Sequence, residues 1–374
     1  MIKKFYDLGK ENSKYKKKVL KDFNEIISSG FYISGKFVEK FEKRFSIFNK
    51  SKYSIGVGNG FDALKISLQA LKITNHCNDG DEVIVPANTY IATVLPVNYC
   101  NLKPVLIEPE PDGFNIDPEK IKKKITKKTK VIIVTHLYGH LSQIDKIMKI
   151  AKKFNLKVIE DCSQSHGAMF NKIKCGNFGD FGCFSLFPAK NLGAFSDAGI
   201  ITTNNKRYNT IVKSIRNYGE NSFQSYEKRK YINLYKGLNS RMSEINGSIL
   251  IHKLAYLKKD NENKKKKALY YLNKIKNKKI ILPKIKKKSY PVWHQFIIMT
   301  KERDRLKRIL LKEKFETKIL YPVPIHKQKA YREYKKFKFP LTEQIHSQNL
   351  SLPLGNHYTK TDLKKICLII NNFK

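Results

Sequence analysis

The chain has 374 residues, of which 41% are hydrophobic and 28% are charged, with a formal net charge of +42. This length allows a large α/β domain with a smaller partner, while no apolar run is long enough to span a bilayer. The lysines are spread along the whole chain without a zinc-finger, RNP-like or helix-turn-helix pattern, and none of the six cysteines forms a CxxC pair, so the sequence indicates neither nucleic-acid binding nor a metal site.

Strands and helices alternate over the first two-thirds of the chain. Two stretches have helical periodicity, DALKISLQALKI and SQIDKIMKIAKKF, and the predicted strands are SIGVGN, DEVIVPA, KPVLIEP, KVIIVTHL, LKVIED, GCFSLF and AGIITTN. This alternation predicts a mostly parallel central sheet between helical layers. Ligands of such sheets bind beyond the carboxyl ends of the strands, where Gly60, Tyr90, Asp161 and Lys190 fall.

The pattern changes near residue 250. One long, heavily charged helix is predicted over ILIHKLAYLKKDNENKKKKALYYLNKIKN, followed by a strand in WHQFIIM and a helix in RDRLKRILLKEK. We therefore expect a large domain over residues 1–250 and a smaller C-terminal α+β domain over residues 251–374.

Lys190 has apolar neighbours in FSLFPAKNLGAF, although most lysines of the chain lie in polar segments. Desolvation disfavours an ammonium group, so we expect a lowered pKa and a neutral amine that can attack a carbonyl. The simpler interpretation is a lysine that extends to water. Asp161, at the end of LKVIED, could likewise be a structural salt-bridge partner or a helix cap. Together the two residues match what pyridoxal phosphate requires, a carboxylate for the pyridinium nitrogen and a lysine for C4′.

The cofactor also needs a phosphate site and an aromatic face. GVGNGFDAL offers a helix N-terminus in which Gly60 permits close approach, and it fails the dinucleotide fingerprint because Phe61 stands where the third glycine belongs. Tyr90 could stack on the ring, although core packing is the simpler role for a tyrosine at a strand end.

Long strings of the sequence match one family. They are GVGNGFDALKISLQAL, GDEVIVPANTYIAT, VTHLYGH, VIEDCSQSHGA, GDFGCFSLFPAKNLGAFSDAG, IRNYG and GLNSRMSEINGSIL. The chain resembles the DegT/DnrJ/EryC1/StrS sugar aminotransferases, pyridoxal-phosphate enzymes of fold type I with an aspartate-aminotransferase-like architecture. Relatives that act as dehydratases carry histidine in place of the lysine, so Lys190 argues against that activity.

The resemblance implies a role for each matching residue. Lys190 would hold the cofactor covalently and move the proton, Asp161 would bind the ring nitrogen, and Gln164 would approach the phenolic oxygen. Tyr90 would stack on the ring, and the phosphate would be bound by Gly60, Phe61 and Ser185. Asn239 would reach the cofactor phosphate of a partner subunit, which implies a homodimer with shared active sites.

The sequence departs from the family where threonine usually follows the loop glycine, because Phe61 offers only its backbone N–H. This change, with YPVPIHKQKAY and LSLPLGNHY, resembles the branch that aminates C3 of dTDP-linked 3-keto-6-deoxyhexoses with L-glutamate as donor. Tyr321 and His326 would then lie near the sugar nucleotide, unless they are surface loop residues. A C4 aminotransferase acting on a UDP- or dTDP-4-keto sugar is the alternative within the family.

Two alternatives lie outside this family, a sugar-nucleotide dehydrogenase that uses GVGNG and a basic nucleic-acid-binding module. The start of the chain, MIKKFYDLGK, has no apolar region typical of a signal peptide, so we expect a cytoplasmic enzyme with free thiols, no membrane attachment and no nucleic-acid partner. In this family the product usually enters surface glycan such as lipopolysaccharide.

Overall fold

A computed structural model describes residues 2–221 and 231–374 of the chain. Its helices are α1 Leu8–Asn12, α2 Lys16–Ser29, α3 Lys36–Asn49, α4 Gly60–Ile73, α5 Leu95–Tyr99, α6 Pro118–Lys124, α7 Ile144–Lys153, α8 Lys206–Ile215, α9 Glu244–Lys274, α10 Arg303–Lys312, α11 Pro340–Gln348 and α12 Lys360–Asn371. Its strands are β1 Tyr53–Val57, β2 Glu82–Pro86, β3 Lys103–Ile107, β4 Thr129–Thr135, β5 Lys157–Asp161, β6 Met169–Phe170, β7 Ile173–Lys174, β8 Phe181–Ser185, β9 Gly199–Thr203, β10 Ser289–Tyr290, β11 Phe296–Met299 and β12 Asn349–Leu352.

The central sheet has seven strands in the order β1-β9-β8-β5-β4-β2-β3. Strands β3, β2, β4, β5 and β8 pair in parallel, whereas β9 runs antiparallel to both of its neighbours. The strands are apolar because both faces of the sheet are covered, as in other parallel sheets enclosed by helices. The predicted mostly parallel sheet is confirmed.

Helices cover the sheet on both faces. One apolar layer joins α4, α5 and α8 to the sheet and includes Leu64, Leu68 and Ile211, and another joins α2, α3 and α9 around Phe41 and Phe45. The amphipathic α7 closes a third cluster through Ile144 and Ile147. No helix within residues 2–221 and 231–374 combines the length and apolar character that a bilayer crossing requires.

The C-terminal part has an apolar cluster of its own, in which β11 and β12 form a two-stranded antiparallel sheet. Trp293, Phe296 and Leu306 belong to this cluster, and α9, α10 and α12 contribute to it. The predicted long charged helix is α9, and it crosses residue 250 without interruption. The division into domains at residue 250 therefore stays a prediction.

Candidate active site

The carboxyl ends of several parallel strands meet at one edge of the central sheet and enclose a cavity of about 560 Å³. Eight of the ten predicted site residues line it, namely Gly60, Phe61, Tyr90, Asp161, Gln164, Ser185, Lys190 and Tyr321. Seven of them come together because they lie at or just after the ends of strands of the central sheet, and those ends share one edge. Tyr321 reaches the cavity from the C-terminal part of the chain. The cavity therefore lies where the sequence predicts the site, beyond the carboxyl ends of the parallel strands.

Lys190 lies on the loop after β8, and its backbone N–H donates to the carbonyl of Phe187 at 2.8 Å. The side chain is partly exposed, facing the cavity. Desolvation lowers the pKa of Lys190 to about 8, and the negative charge of Asp161 acts in the opposite direction. The expected lowered pKa is confirmed, and about a tenth of the amine is neutral one pH unit below it.

Asp161 ends β5 and is buried, with 5% of its surface exposed. The hydroxyl of Thr93 donates to Oδ2 of Asp161 at 2.8 Å, and the backbone N–H of Ser163 donates to Oδ1 at 3.1 Å. In the described part of the chain no cationic side chain lies within ion-pair distance of Asp161, so the salt-bridge interpretation is wrong. The carboxylate is oriented by neutral donors and faces the cavity.

Gln164 connects the sheet to the C-terminal part of the chain. Its Oε1 accepts a hydrogen bond from the backbone N–H of Tyr138 at 2.7 Å, and its Nε2 donates to the hydroxyl of Tyr321 at 2.6 Å. Tyr138 and Tyr321 both have a φ in the left-handed region, at 58° and 57°. A tyrosine rarely adopts this backbone conformation, so the contacts on either side of Gln164 must offset its cost.

The ring of Tyr90 forms part of the cavity wall. It is 54% exposed, and its centroid lies 5.4 Å from that of Tyr321 with a 30° angle between the planes. The core-packing interpretation of Tyr90 is therefore wrong. The two rings offer an aromatic wall against which a planar ligand can pack.

The N-terminus of α4 forms the opposite end of the cavity. Asn59 caps the helix by accepting from the backbone N–H of Asp62 at 2.8 Å. A Cβ atom on Gly60 would lie 2.6 Å from the Cβ of Ser185, so only glycine permits this close approach of the helix to β8. Phe61 packs edge-on against Tyr99, with ring centroids 5.6 Å apart. Backbone N–H groups and the Ser185 hydroxyl thus lie at one place, as an anionic group requires.

Two predicted residues do not line the cavity. Asn239 is exposed and forms a β-bridge with Asn217. His326 is 1% exposed, and its Nε2 lies 2.9 Å from Oε1 of Glu343. The surface-loop interpretation is thus wrong for both C-terminal residues, since Tyr321 lines the cavity and His326 is buried.

Thr93 is the site residue that the sequence did not reveal. It lies in a short 3₁₀ turn over Ile91–Thr93, and 68 residues separate it from Asp161. Its position three residues after Tyr90, in the loop after β2, is the one signal that could have drawn attention to it.

A compact group of potential metal ligands lies behind the site, formed by His136, Glu160 and Cys162. The Glu160 carboxylate already accepts from the backbone N–H groups of Gly176, Phe178 and Gly179 at 2.7–2.9 Å, and from Nε2 of His136 at 2.9 Å. The backbone N–H of Ser142 donates to Nδ1 of His136 at 3.2 Å. These bonds occupy the lone pairs that a cation would need, so the group has a structural role and not a metal-binding one.

The arrangement fits pyridoxal phosphate. One cavity of suitable volume is faced by an oriented carboxylate, by an amine of lowered pKa and by a helix N-terminus that only glycine can occupy. Asp161 would hold the ring nitrogen, Lys190 the aldehyde carbon, and the start of α4 the phosphate.

Comparisons with known proteins agree with this chemistry. The model of the DegT/DnrJ/EryC1/StrS aminotransferase family matches residues 13–371. The chain is 44% identical over 369 residues to dTDP-3-amino-3,6-dideoxy-alpha-D-galactopyranose transaminase of Aneurinibacillus thermoaerophilus, covering 99% of each chain. Among solved structures, the chain is similar to S. venezuelae DesV in complex with a ketimine intermediate, with a TM-score of 0.93, 33% identity, and coverage of 99% of this chain and 98% of that one. It is also similar to NtdA from Bacillus subtilis with bound cofactor PMP, with a TM-score of 0.90, 29% identity, and coverage of 99% and 84%.

Proposed function

The chain belongs to the DegT/DnrJ/EryC1/StrS aminotransferase family, and on this premise we propose that it transfers an amino group from L-glutamate to C3 of a dTDP-3-keto-6-deoxyhexose. The product would be a dTDP-3-amino-3,6-dideoxyhexose. The chain is a pyridoxal-phosphate-dependent nucleotide-sugar aminotransferase. The observation that carries the proposal is the juxtaposition of the Lys190 amine and the Asp161 carboxylate in one cavity.

Bound pyridoxal phosphate supplies an electron sink for the carbon that loses or gains a proton. Lys190 supplies the base, because an amine with a pKa of about 8 can accept a proton and return it near neutral pH. The same side chain would hold the cofactor covalently between turnovers.

Asp161 would hold the ring nitrogen of the cofactor in its protonated form. Its two oxygens are oriented by Thr93 and Ser163, so the carboxylate need not reorganise when the cofactor binds. Gln164 would approach the phenolic oxygen of the cofactor, and its hydrogen bond to the Tyr321 hydroxyl holds the amide in place. Tyr90, whose ring lies beside that of Tyr321 in the cavity wall, would cover one face of the cofactor ring.

The cofactor phosphate would be bound by the backbone N–H groups of Gly60 and Phe61 and by the Ser185 hydroxyl. We further propose that Asn239 reaches the phosphate bound by a partner subunit. Its exposure and its place outside this chain's own cavity support that role. The enzyme would then be a homodimer with two shared active sites.

The sugar position rests on the relative of 44% identity, whose name puts the amine at C3 of a dTDP-linked 3,6-dideoxy sugar. Tyr321 would contact the sugar, since it lines the cavity beside Tyr90. His326 would act indirectly. Its contact with Glu343 holds the segment 321–326, and this segment carries Tyr321. We place the enzyme in the cytoplasm, where its product would be supplied for surface glycan such as lipopolysaccharide.

Turnover with purified sugar nucleotides tests the proposal. The holoenzyme is incubated with L-glutamate and either a dTDP-3-keto-6-deoxyhexose or a UDP-4-keto sugar, and the carbon that bears nitrogen is identified by NMR. Amination of the first substrate at C3 supports the proposal. Turnover restricted to the 4-keto sugar would replace it with the C4 alternative.

A further inference from the structure

A second, smaller cavity adjoins the active site. It has a volume of about 70 Å³ and lies between the N-terminal segment 5–15, the loop 188–191 and helix α9. Lys190 lines both this cavity and the larger one, so the two meet at its side chain. A group that reacts beside Lys190 can therefore extend into the smaller cavity.

Lysines outnumber acids around the smaller cavity. Besides Lys190, it is lined by Lys14, Lys253 and Lys264 but by only two carboxylates, those of Glu11 and Asp260. Lys14 pairs with Asp260 at 3.6 Å, and Glu11 lies 3.6 Å from Nδ1 of His357. Neighbouring His294 stays neutral, because burial and nearby lysines hold its pKa well below the usual value.

The two remaining amines bind neutral oxygens. Lys264 donates to Oδ1 of Asn191 at 3.1 Å, and Lys253 donates to Oδ1 of Asn12 at 3.1 Å. Across residues 2–221 and 231–374, no carboxylate oxygen comes within ion-pair distance of either amine. Burial lowers the pKa of both lysines, that of Lys253 to about 8, while the charges of Glu11 and Asp260 act in the opposite direction from beyond ion-pair distance. A desolvated ammonium group without an anion is costly, so the cavity favours an anionic guest.

We propose that this cavity binds the side-chain carboxylate of a dicarboxylic amino donor, with Lys264 and Lys253 as the groups that recognise it. The inference rests on the proposed function and locates the donor in the site. The carboxylate on the reacting carbon must stay beside Lys190, whereas a second carboxylate farther along the side chain can pass Asn191 and reach Lys264. A nucleoside diphosphate is too large for this volume.

Single-turnover kinetics of the holoenzyme test the assignment. L-Glutamate and its uncharged isostere L-glutamine are compared, and we expect kcat/KM to favour glutamate by about 100-fold or more, since a site built for a charge rejects the analogue without it. Lys264→Met should lower kcat/KM for glutamate by about 30-fold and change kcat/KM for glutamine by less than about threefold. Lys266→Met, an exposed position of the same helix, is the matched control and should behave as the wild type.

A binding measurement without turnover gives a second readout. The single tryptophan, Trp293, precedes the cavity residue His294, so its fluorescence should respond when the cavity fills. Glutarate should give a saturable change in the wild type and in Lys266→Met, and a much weaker one in Lys264→Met. Inorganic phosphate is the competing probe, and tighter binding of phosphate than of glutarate would assign the cavity to a phosphate group and overturn the proposal.

The outcomes separate this inference from the proposed function. Conversion of glutamate and glutamine at equal rates by the wild type, with normal sugar amination, would overturn the donor site alone. A wild-type holoenzyme that converts no amino acid would overturn the proposed function, and the donor site with it. The wild-type comparisons need no variant, so they can overturn the donor site even if Lys264→Met does not fold.

Discussion

The hydroxyl of Thr93 donates a 2.8 Å hydrogen bond to Oδ2 of Asp161, across 68 residues of sequence. Thr93 also lies 2.8 Å from the hydroxyl of Thr89. The carboxylate expected to hold the cofactor nitrogen is therefore aimed by a side chain that the sequence did not single out.

Thr93→Val removes this donor with little change in shape. A hydrogen bond to a charged group contributes about 1.5–3 kcal/mol, so we expect kcat to fall about 10-fold or more while the fold is retained. Steady-state kinetics and thermal unfolding measure the two effects. Thr89→Val leaves the Thr93–Asp161 bond in place and is the control, and an equal loss in both variants would contradict the orienting role of Thr93.

Asp161→Ala removes the carboxylate itself. We expect the variant to bind some cofactor but to lose most of its activity, because the ring nitrogen would no longer be kept protonated. Cofactor content by absorbance and turnover by coupled assay check this. Near wild-type transamination would show that the nitrogen is held by another residue.

Lys190→Ala should abolish covalent cofactor attachment and turnover, because the amine serves both purposes. Borohydride treatment followed by mass spectrometry should find no modified peptide, and the absorbance of the attached cofactor near the visible edge should be missing. Lys149→Ala, at an exposed position of α7, should retain both signals. Normal turnover of the Lys190→Ala variant would contradict the mechanism.

Cofactor uptake by the apoprotein should depend on pH through Lys190. Only the neutral amine attacks, so the rate should rise with pH and level off above about 8, and fall about tenfold per unit below it. Of the groups around the amine, Asp161 raises the pKa of Lys190, while His166, whose pKa burial lowers to about 3, and His294 are neutral in this range.

Stopped-flow absorbance gives the pH profile, with N-acetyl-lysine measured in parallel to account for titration of the cofactor. Asp161→Ala should move the midpoint to lower pH, since it removes the charge that favours the ammonium form. A midpoint near that of free lysine would contradict the desolvation argument.

Gly60→Ala should damage the phosphate end of the site. The new Cβ would lie 2.6 Å from the Cβ of Ser185, so α4 and β8 must separate, at a cost of about 1–3 kcal/mol in the free energy of unfolding. We expect weaker cofactor binding as well, measured by equilibrium titration. The Cβ added by Gly9→Ala meets no atom within 4 Å. This control variant should leave the free energy of unfolding and the cofactor affinity unchanged.

Much of this site could be predicted because its parts are local. Hydrophobic periodicity located the strands, and the residues that follow parallel strands must meet at one edge of the sheet, which predicted that Gly60, Tyr90, Asp161 and Lys190 lie together. The apolar neighbours of Lys190 predicted its desolvation, since burial by adjacent residues is largely encoded in the segment itself.

The sequence by itself therefore determined the sheet and the cofactor chemistry, and it predicted that Lys190 and Asp161 share one site. Only the tertiary structure decided which side chains support them, because contacts between distant segments depend on how the layers pack. The Gln164–Tyr321 hydrogen bond spans 157 residues, and the pairing of Lys264 with Asn191 spans 73. In a chain with 74 lysines and arginines, no local pattern distinguishes Lys264 from its neighbours; its burial beside Lys190 arises when α9 packs against the loop after β8.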